Sequence, residues 1–261
     1  MRAVSVALAA GLLASCAPLP VAATPEPSSD APNARRAPTA EVLATPIAVF
    51  RPTPIPTRDP LAVVGDRLTV ASGDFDCDGL PDQLEFFKLV GPTTLALPTL
   101  ARLTLATGGI HELALEGDPN AGPLGITDVN GDGCDDAIVV VGHGASTIWT
   151  SFLVYDGTEL RRVEEDGVPV MLLFGGSVRH GNAIECGRTK DAPEIIARGV
   201  SDYTSDYNWD LVEDVHRWST KSRLVLWSRT ATVIAVSTRF AMPPNSDRYW
   251  GLDCGVLKFG G

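Results

Sequence analysis

The chain contains GDFDCDGLPD at residues 73–82, and its pattern recurs as TDVNGDGCDD at residues 127–136. In both copies an acid is followed at alternate positions by Asp or Asn and then by Asp, with Gly next and another Asp three residues later. Oxygens at alternate positions converge when the backbone curls, and Gly permits that turn because it lacks a Cβ atom. Such a loop suits a hard cation, Ca²⁺ best of all. A metal-free turn is the alternative, since Asp and Gly favour turns for local reasons.

The first copy also satisfies the spacing of an EF-hand loop, with Glu85 at the twelfth position, whereas the second copy has Val139 there. An EF-hand needs a helix on each side. The residues that follow the two copies, 84–89 and 137–141, are short runs of aromatic or β-branched residues that are typical of strands. We therefore interpret Glu85 as a strand residue and not as a metal ligand.

A loop of this pattern followed by a strand resembles the FG-GAP or VCBS repeat of integrin α-subunit propellers and many bacterial surface proteins. In that family the loop joins two strands of a blade and binds Ca²⁺, so the resemblance implies propeller-like antiparallel blades and two calcium sites. The match covers only the two loops, and the chain carries few repeats. The implied side-chain ligands are Asp74, Asp76, Asp78 and Asp82 in the first loop and Asp128, Asn130, Asp132 and Asp136 in the second, with the backbone carbonyls of Leu80 and Cys134 completing the shells.

Short apolar runs separated by Gly, Pro and Asp predict an all-β domain over residues 61–261. Asp156-Gly157 lies between two such runs and predicts a hairpin. The candidate strands are 67–71, 83–90, 100–106, 110–115, 137–142, 149–155, 159–163, 211–217, 223–228 and 231–238.

The spacing of the two loops predicts repeated units. Asp74 and Asp128 are 54 residues apart, which is room for about four short strands or one propeller blade. A third loop is expected near residue 182, and an apolar run follows at residues 195–197, but the alternating acids are absent. We interpret it as a degenerate unit without metal, and the fold as an incomplete or compact propeller.

Residues 1–15 have the features of a bacterial lipoprotein signal peptide. Arg2 is followed by a short apolar core, and Leu13-Ala14-Ser15-Cys16 resembles a lipoprotein box, which implies lipid on Cys16. The alternative is an ordinary secretory signal cut after Ala23. Either interpretation places the mature protein outside the cytoplasm, lipid-anchored in the first case and secreted in the second. Residues 16–60 hold eleven prolines and predict a semi-extended tether.

With Cys16 lipidated, four cysteines remain: Cys77, Cys134, Cys186 and Cys254. An even number in an exported domain predicts disulfides, and four cysteines permit three pairings. The blade resemblance places the two metal loops at the same end of neighbouring blades. It therefore implies that Cys77 pairs with Cys134 and Cys186 with Cys254.

The sequence does not establish an enzyme. It contains no GxSxG, HExxH or phosphate-loop motif, and its four histidines are scattered. The net charge of −11 argues against nucleic acid and against direct adhesion to anionic lipid, so membrane attachment would depend on Cys16. Five tryptophans lie in the second half, and residues 202–209 are both aromatic and polar, a composition compatible with sugar binding.

Three functions follow from these observations. The first is a non-enzymatic, calcium-binding β-repeat module for adhesion, ligand binding or envelope scaffolding, whose partner is a protein or glycan of the cell envelope. The second is an exported hydrolase or lyase that acts on polysaccharide and uses calcium structurally. The third is a calcium-dependent assembly module.

Overall fold

The computed structural model describes residues 62–92, 97–115, 121–190 and 192–260, and these residues form mainly antiparallel β-sheet. The all-β prediction is confirmed. The predicted signal peptide (1–15), the tether (16–60) and the lipidation site Cys16 lie outside the described residues. The strands are β1 (Val63–Gly73), β2 (Asp82–Val90), β3 (Thr99–Thr104), β4 (Ile110–Leu115), β5 (Gly122–Thr127), β6 (Asp136–His143), β7 (Thr147–Tyr155), β8 (Leu160–Arg162), β9 (Glu164–Glu165), β10 (Val168–Pro169), β11 (Leu172–Ser177), β12 (His180–Thr189), β13 (Ala192–Ser205), β14 (Asn208–Thr220), β15 (Arg223–Ala235), β16 (Gly251–Cys254) and β17 (Leu257–Phe259).

The described residues include one short helix, a 3-10 turn at Ser246–Tyr249. None of their helical structure is long and apolar enough to cross a membrane.

The first sheet is a four-stranded meander in the order β1-β2-β3-β4. Residues 74–81, the first acidic loop, connect β1 to β2, whose ends pair through Gly73 and Asp82. Leu84 and Phe86 alternate with half-exposed neighbours along β2, and both are fully buried. This alternation directs one face of the sheet into a core and leaves the other accessible to solvent.

The second unit repeats the same order of elements. Strands β5, β6, β7 and β8 pair consecutively and antiparallel, and residues 128–135, the second acidic loop, connect β5 to β6. β6 is apolar on both faces: Val139 belongs to the core shared with the first sheet, whereas Ile138 belongs to a second core on the opposite face. A strand buried on both faces explains why residues 137–141 are a continuous apolar run.

The third unit consists of the longer strands β12 to β15, which also pair consecutively and antiparallel. β11 pairs with both β7 and β12. The second and third units therefore belong to one 13-stranded sheet, which comprises β5 to β17 and so includes the C-terminal strands β16 and β17. Ile184 and Ile195 of this unit pack in the second core with Phe152 of β7. The expectation of a third loop near residue 182 is wrong, because strand β12 occupies residues 180–189, whereas the apolar run 195–197 lies in β13, which pairs with β12 as far as Thr189 and Ala192.

Three consecutive antiparallel units therefore pack face to face around two cores. The described strands close neither a barrel nor a propeller, so the propeller remains a prediction. Several strand assignments differ from expectation, since β5, β9 to β13, β16 and β17 are absent from the predicted strands. Residues 223–228 and 231–238 belong largely to one strand, β15, because the intervening Arg229 and Thr230 pair with β14 and so continue the ladder. β5 was not predicted, since its sequence GPLGIT is dominated by Gly and Pro.

Candidate metal centre

The first acidic loop curls around its own carboxylates. Oδ2 of Asp74 accepts a hydrogen bond from the Gly79 amide at 3.0 Å, and Oδ1 of Asp78 accepts one from the Leu80 amide at 2.7 Å. Between them, Oδ1 of Asp76 accepts a bond of 3.2 Å from the Asp78 amide. Gly79 has φ +83°, the left-handed conformation in which Gly has no steric penalty.

The second loop makes the same bonds at the same positions. Asp128 accepts from the Gly133 amide at 3.1 Å, Asn130 from the Asp132 amide at 2.9 Å, and Asp132 from the Cys134 amide at 3.0 Å. Gly133 has φ +91°. The pattern shared by the two sequences therefore corresponds to a shared backbone conformation.

The ninth-position aspartates close the two loops from inside. Asp82 is fully buried and accepts hydrogen bonds from the amides of Phe75 and Ala106, both at 2.8 Å. Asp136 is likewise buried and accepts from the Val129 amide at 3.1 Å. Burial, opposed by these amide bonds, raises the pKa of Asp136 well above its ordinary value. Each of these side chains stands at the end of its loop and hydrogen-bonds an amide near the start of the same loop. That Asp82 and Asp136 also bind a metal ion remains a prediction.

A disulfide and two backbone contacts hold the loops side by side. Cys77 is bonded to Cys134, with the two Cα atoms 5.0 Å apart. Asp135 accepts from the Asp74 amide through its carboxylate and donates its own amide to the Asp74 carbonyl, both at 2.8 Å. The second disulfide joins Cys186 of β12 to Cys254 of β16. The prediction of two disulfides is confirmed, and the pairs are those that the resemblance implied.

Asp135 is a site residue that the sequence analysis missed. It stands at the eighth position of its loop, where the first loop has Pro81, so the shared pattern does not mark it. Its contact with Asp74 depends on the packing of one unit against the next. Only the folded chain shows this contact.

The first loop fits a divalent cation. Asp74, Asp76 and Asp78 each place one carboxylate oxygen within 4.8 Å of the other two. Burial and then the charges of the neighbouring aspartates raise the pKa of Asp76. No Lys, Arg or His within the described ranges forms an ion pair with these three side chains. Carboxylate oxygens are hard donors of the kind that Ca²⁺ prefers.

The second loop fits a cation less well, because the third unit already supplies two positive charges to it. Lys221, in the turn between β14 and β15, places its Nζ 2.9 Å from Oδ2 of Asp132. Arg188 of β12 lies 3.9 Å from Oδ2 of Asp128. The hydrogen bond to Asp132 raises the pKa of Lys221, so its ammonium stays charged. No sequence signal marks Lys221, which lies 91 residues from the loop residue Asn130.

The structure also contains a surface cleft of about 690 Å³ between β4, β8 and the β9–β10 hairpin. Its lining includes basic and acidic groups: His111, Glu112, Arg161, Arg162, Glu164 and Arg223. Such a lining suits a polar ligand that carries both hydrogen-bond donors and acceptors.

The aromatic residues considered for sugar binding are divided between core and surface. Trp209 is almost fully buried and contacts Trp250 edge-on at 5.7 Å between ring centroids, so both serve packing. Tyr203, Tyr207 and Trp227 are exposed. Trp227 is covered by the Arg217 guanidinium, 4.0 Å from the centroid of its ring.

The chain was compared with family models, curated proteins and solved structures. No family model, curated protein or solved structure matches it.

Proposed function

We propose that this chain is an exported, calcium-stabilised β-repeat module that serves adhesion, ligand binding or envelope scaffolding without catalysing a reaction. The observation that carries the proposal is the trio of carboxylates of Asp74, Asp76 and Asp78, which lie within 4.8 Å of one another and have no counter-ion in the described part of the chain. The matching hydrogen bonds of the second loop support a repeat origin for this geometry. The FG-GAP or VCBS resemblance supplies the family hypothesis.

Electrostatics explains how calcium would act here. Two unit charges about 4 Å apart repel by about 4 kcal/mol at the effective dielectric constant of a protein surface. Three mutually close carboxylates therefore strain the empty loop, and a divalent cation relieves that repulsion. Because the loop connects β1 to β2 and is bonded to the second unit, the ion would stabilise the junction of the two units.

Calcium dependence of stability tests this proposal. At a free concentration 100 times its Kd, an ion that binds only the folded state adds about 2.7 kcal/mol to the free energy of unfolding. We expect Ca²⁺ to raise the melting temperature by roughly 5–10 °C relative to EDTA. The double variant Asp74→Asn/Asp76→Asn should lose this increase, whereas Asp66→Asn, an exposed residue near the end of β1 opposite to the loop, should retain it. A wild-type melting temperature that is the same in Ca²⁺ and EDTA would refute the metal site.

The proposed location is the outer side of a bacterial membrane, with lipid on Cys16 and the Pro-rich segment 16–60 as a tether. The two disulfides support an oxidising compartment. Cys16→Ser should abolish incorporation of labelled fatty acid and change the fraction of protein that sediments with membranes. Mass spectrometry of a mature protein that begins at Thr24 and carries no lipid would support the secreted alternative instead.

The stacked units support a blade-like interpretation of the fold. Each acidic loop joins the first two strands of a four-stranded meander, and the meanders pack face to face. We propose that the units are propeller-type blades in an incomplete arrangement.

The cleft beside β4 and β8 is the proposed ligand site of the module. Its mixed charges favour a polar ligand such as a glycan or a peptide of the cell envelope. The acids Glu112 and Glu164 in its lining keep the polysaccharide hydrolase or lyase as the second candidate. A glycan panel read for both binding and turnover separates the two, because a binding module retains its ligand intact while an enzyme releases shortened products.

A further inference from the structure

The second acidic loop is held by the third unit through both a side chain and a backbone group of one residue. The ammonium of Lys221 lies 2.9 Å from Oδ2 of Asp132. The carbonyl oxygen of the same lysine accepts a hydrogen bond of 3.4 Å from Nδ2 of Asn130. Lys221 is therefore attached at two points to the third and fifth positions of the loop, two of the positions that the repeat pattern assigns to metal ligands.

The two loops differ in charge balance although their backbones match. In the first loop, Asp74, Asp76 and Asp78 bring a formal charge of −3 without an ion-pair partner among the residues the structure describes. In the second, Asp128 and Asp132 bring −2, which Lys221 and Arg188 balance. The third position contributes to this difference, since Asn130 replaces the carboxylate of Asp76 with a neutral amide.

A divalent cation would have to compete with these groups. Ca²⁺ takes six to eight oxygen ligands at 2.3–2.6 Å in proteins. An ion at the second loop would either displace the Lys221 ammonium from Asp132 or bind with that positive charge next to its ligands. Displacement of the ammonium would also break the ion pair that connects the β14–β15 turn to the loop.

We infer that Lys221 takes the place of a metal ion at the second loop, so that the chain binds one Ca²⁺, at the first loop, and uses the lysine to attach the third unit to the second. This differs from the two ions that the repeat resemblance implies. The inference rests on the proposed function for the ion at the first loop, but the role of Lys221 is independent of it.

Calcium stoichiometry of the full folded chain tests the inference. After removal of metal with a chelator, isothermal titration with Ca²⁺ should give one ion per wild-type chain. Lys221→Met removes the ammonium and retains an unbranched side chain, and Lys221→Met/Arg188→Met removes both cations. We expect the number of bound ions to rise by one in the double variant or already in the single variant.

Lys258→Met is the matched control, since Lys258 pairs with Asp253 at 2.9 Å on the β16–β17 hairpin. The control should bind the same number as wild type.

Thermal unfolding in EDTA gives a second readout that needs no metal. Lys221→Met should lower the melting temperature by about 2–4 °C more than Lys258→Met, because only Lys221 joins two units.

The outcomes separate the inference from the proposed function. Two ions on the wild-type chain, or no additional ion in either Lys221 variant, would overturn the inference. Equal melting temperatures of the two lysine variants in EDTA would also overturn it. A wild-type chain that binds no ion refutes the proposed site at the first loop, while the gain of one ion in the variants still supports the role of Lys221.

Discussion

At the scale of single residues, the two acidic loops assign different tasks to chemically identical side chains. Aspartates at alternate positions of the first loop keep oxygens close to one another near the surface. The ninth-position Asp82 is instead fully buried and accepts two backbone hydrogen bonds. The carboxylates of the first group repel one another without a cation, whereas Asp82 contributes to the fold whether or not a cation is bound.

Replacement of Asp82 separates these tasks. Asp82→Ala leaves the amides of Phe75 and Ala106 without their acceptor, and an unsatisfied buried donor costs about 1–3 kcal/mol. We expect urea unfolding in EDTA to show a loss of about 3 kcal/mol. Asp76→Ala is the matched control: its oxygen accepts one bond of 3.2 Å, and its removal relieves repulsion, so its stability in EDTA should equal or exceed that of wild type. Equal losses in the two variants would contradict the distinction.

At the scale of the elements, the third unit is held together by ion pairs across its long strands. Glu194 on β13 pairs with Arg217 on β14, which stands directly opposite in the register. Arg198 on β13 contacts both Glu185 on β12 and Glu213 on β14, at 2.6 Å in each case. Glu194 and Arg198 are buried, so these cross-strand pairs are shielded from solvent more than ordinary surface pairs.

Glu194 makes the stability of this unit depend on pH. Burial opposes its ionisation, but hydrogen bonds from Thr189 and Arg217 outweigh burial and lower the pKa of its carboxyl group below the ordinary value of 4.5. A lowered folded-state pKa stabilises the protein above the unfolded-state pKa, and this contribution is lost as pH falls through the folded-state value. Glu194→Gln should therefore be less stable than wild type at pH 7.

The difference between Glu194→Gln and wild type should shrink as pH falls below about 4.5, the ordinary value for a glutamate. Urea unfolding at a series of pH values measures it. Glu159→Gln, in the exposed turn after β7, serves as the control and should show a much smaller difference from wild type throughout. A constant destabilisation of Glu194→Gln from pH 7 to pH 3 would show that packing, and not charge, is responsible.

At the scale of the whole molecule, three antiparallel units stack around two cores, and each disulfide joins separate parts of that stack. Cys77–Cys134 links the first unit to the second, and Cys186–Cys254 links the third unit to the C-terminal strands. Arg102 on the first sheet pairs with Glu112 and covers the Phe87 ring, 4.7 Å from its centroid. The outer side of this sheet is mixed in character, since Val70 and Ile110 are exposed as well.

Coupling between the first disulfide and calcium follows from this arrangement. Cys77 and Cys134 lie inside the two loops, and closing a loop of 57 residues contributes about 4 kcal/mol in the chain-entropy model. Cys77→Ser/Cys134→Ser should weaken Ca²⁺ binding, and it should therefore lower the melting temperature more in Ca²⁺ than in EDTA, because the variant gains less stability from the ion. Cys186→Ser/Cys254→Ser should lower the melting temperature without changing Ca²⁺ affinity, because its disulfide is distant in sequence from the first loop. Equal changes in affinity in the two variants would disprove the coupling.

Local features of the fold were determined by the sequence alone. Short apolar runs predicted β2 and β7, the Asp156-Gly157 turn predicted the hairpin that pairs Tyr155 with Leu160, and repeated spacing predicted equivalent loops. These features depend on side-chain period and backbone preference, which a short window contains. The paired cysteines needed the further assumption that the loops are neighbours.

Only the tertiary structure determined which charged side chains lie close to each of the two loops. Lys221 and Arg188 reach the second loop because the third unit packs against the second, and Asp135 reaches the first loop because the second unit packs against the first. These partners come from distant parts of the chain, and no local pattern encodes their approach. The sequence therefore determined two loops of the same conformation. The packing of the units neutralised the second loop with basic side chains, whereas the carboxylates of the first loop have no ion-pair partner among the residues that the structure describes. Electrostatic interactions depend on distance in space and not on separation along the chain.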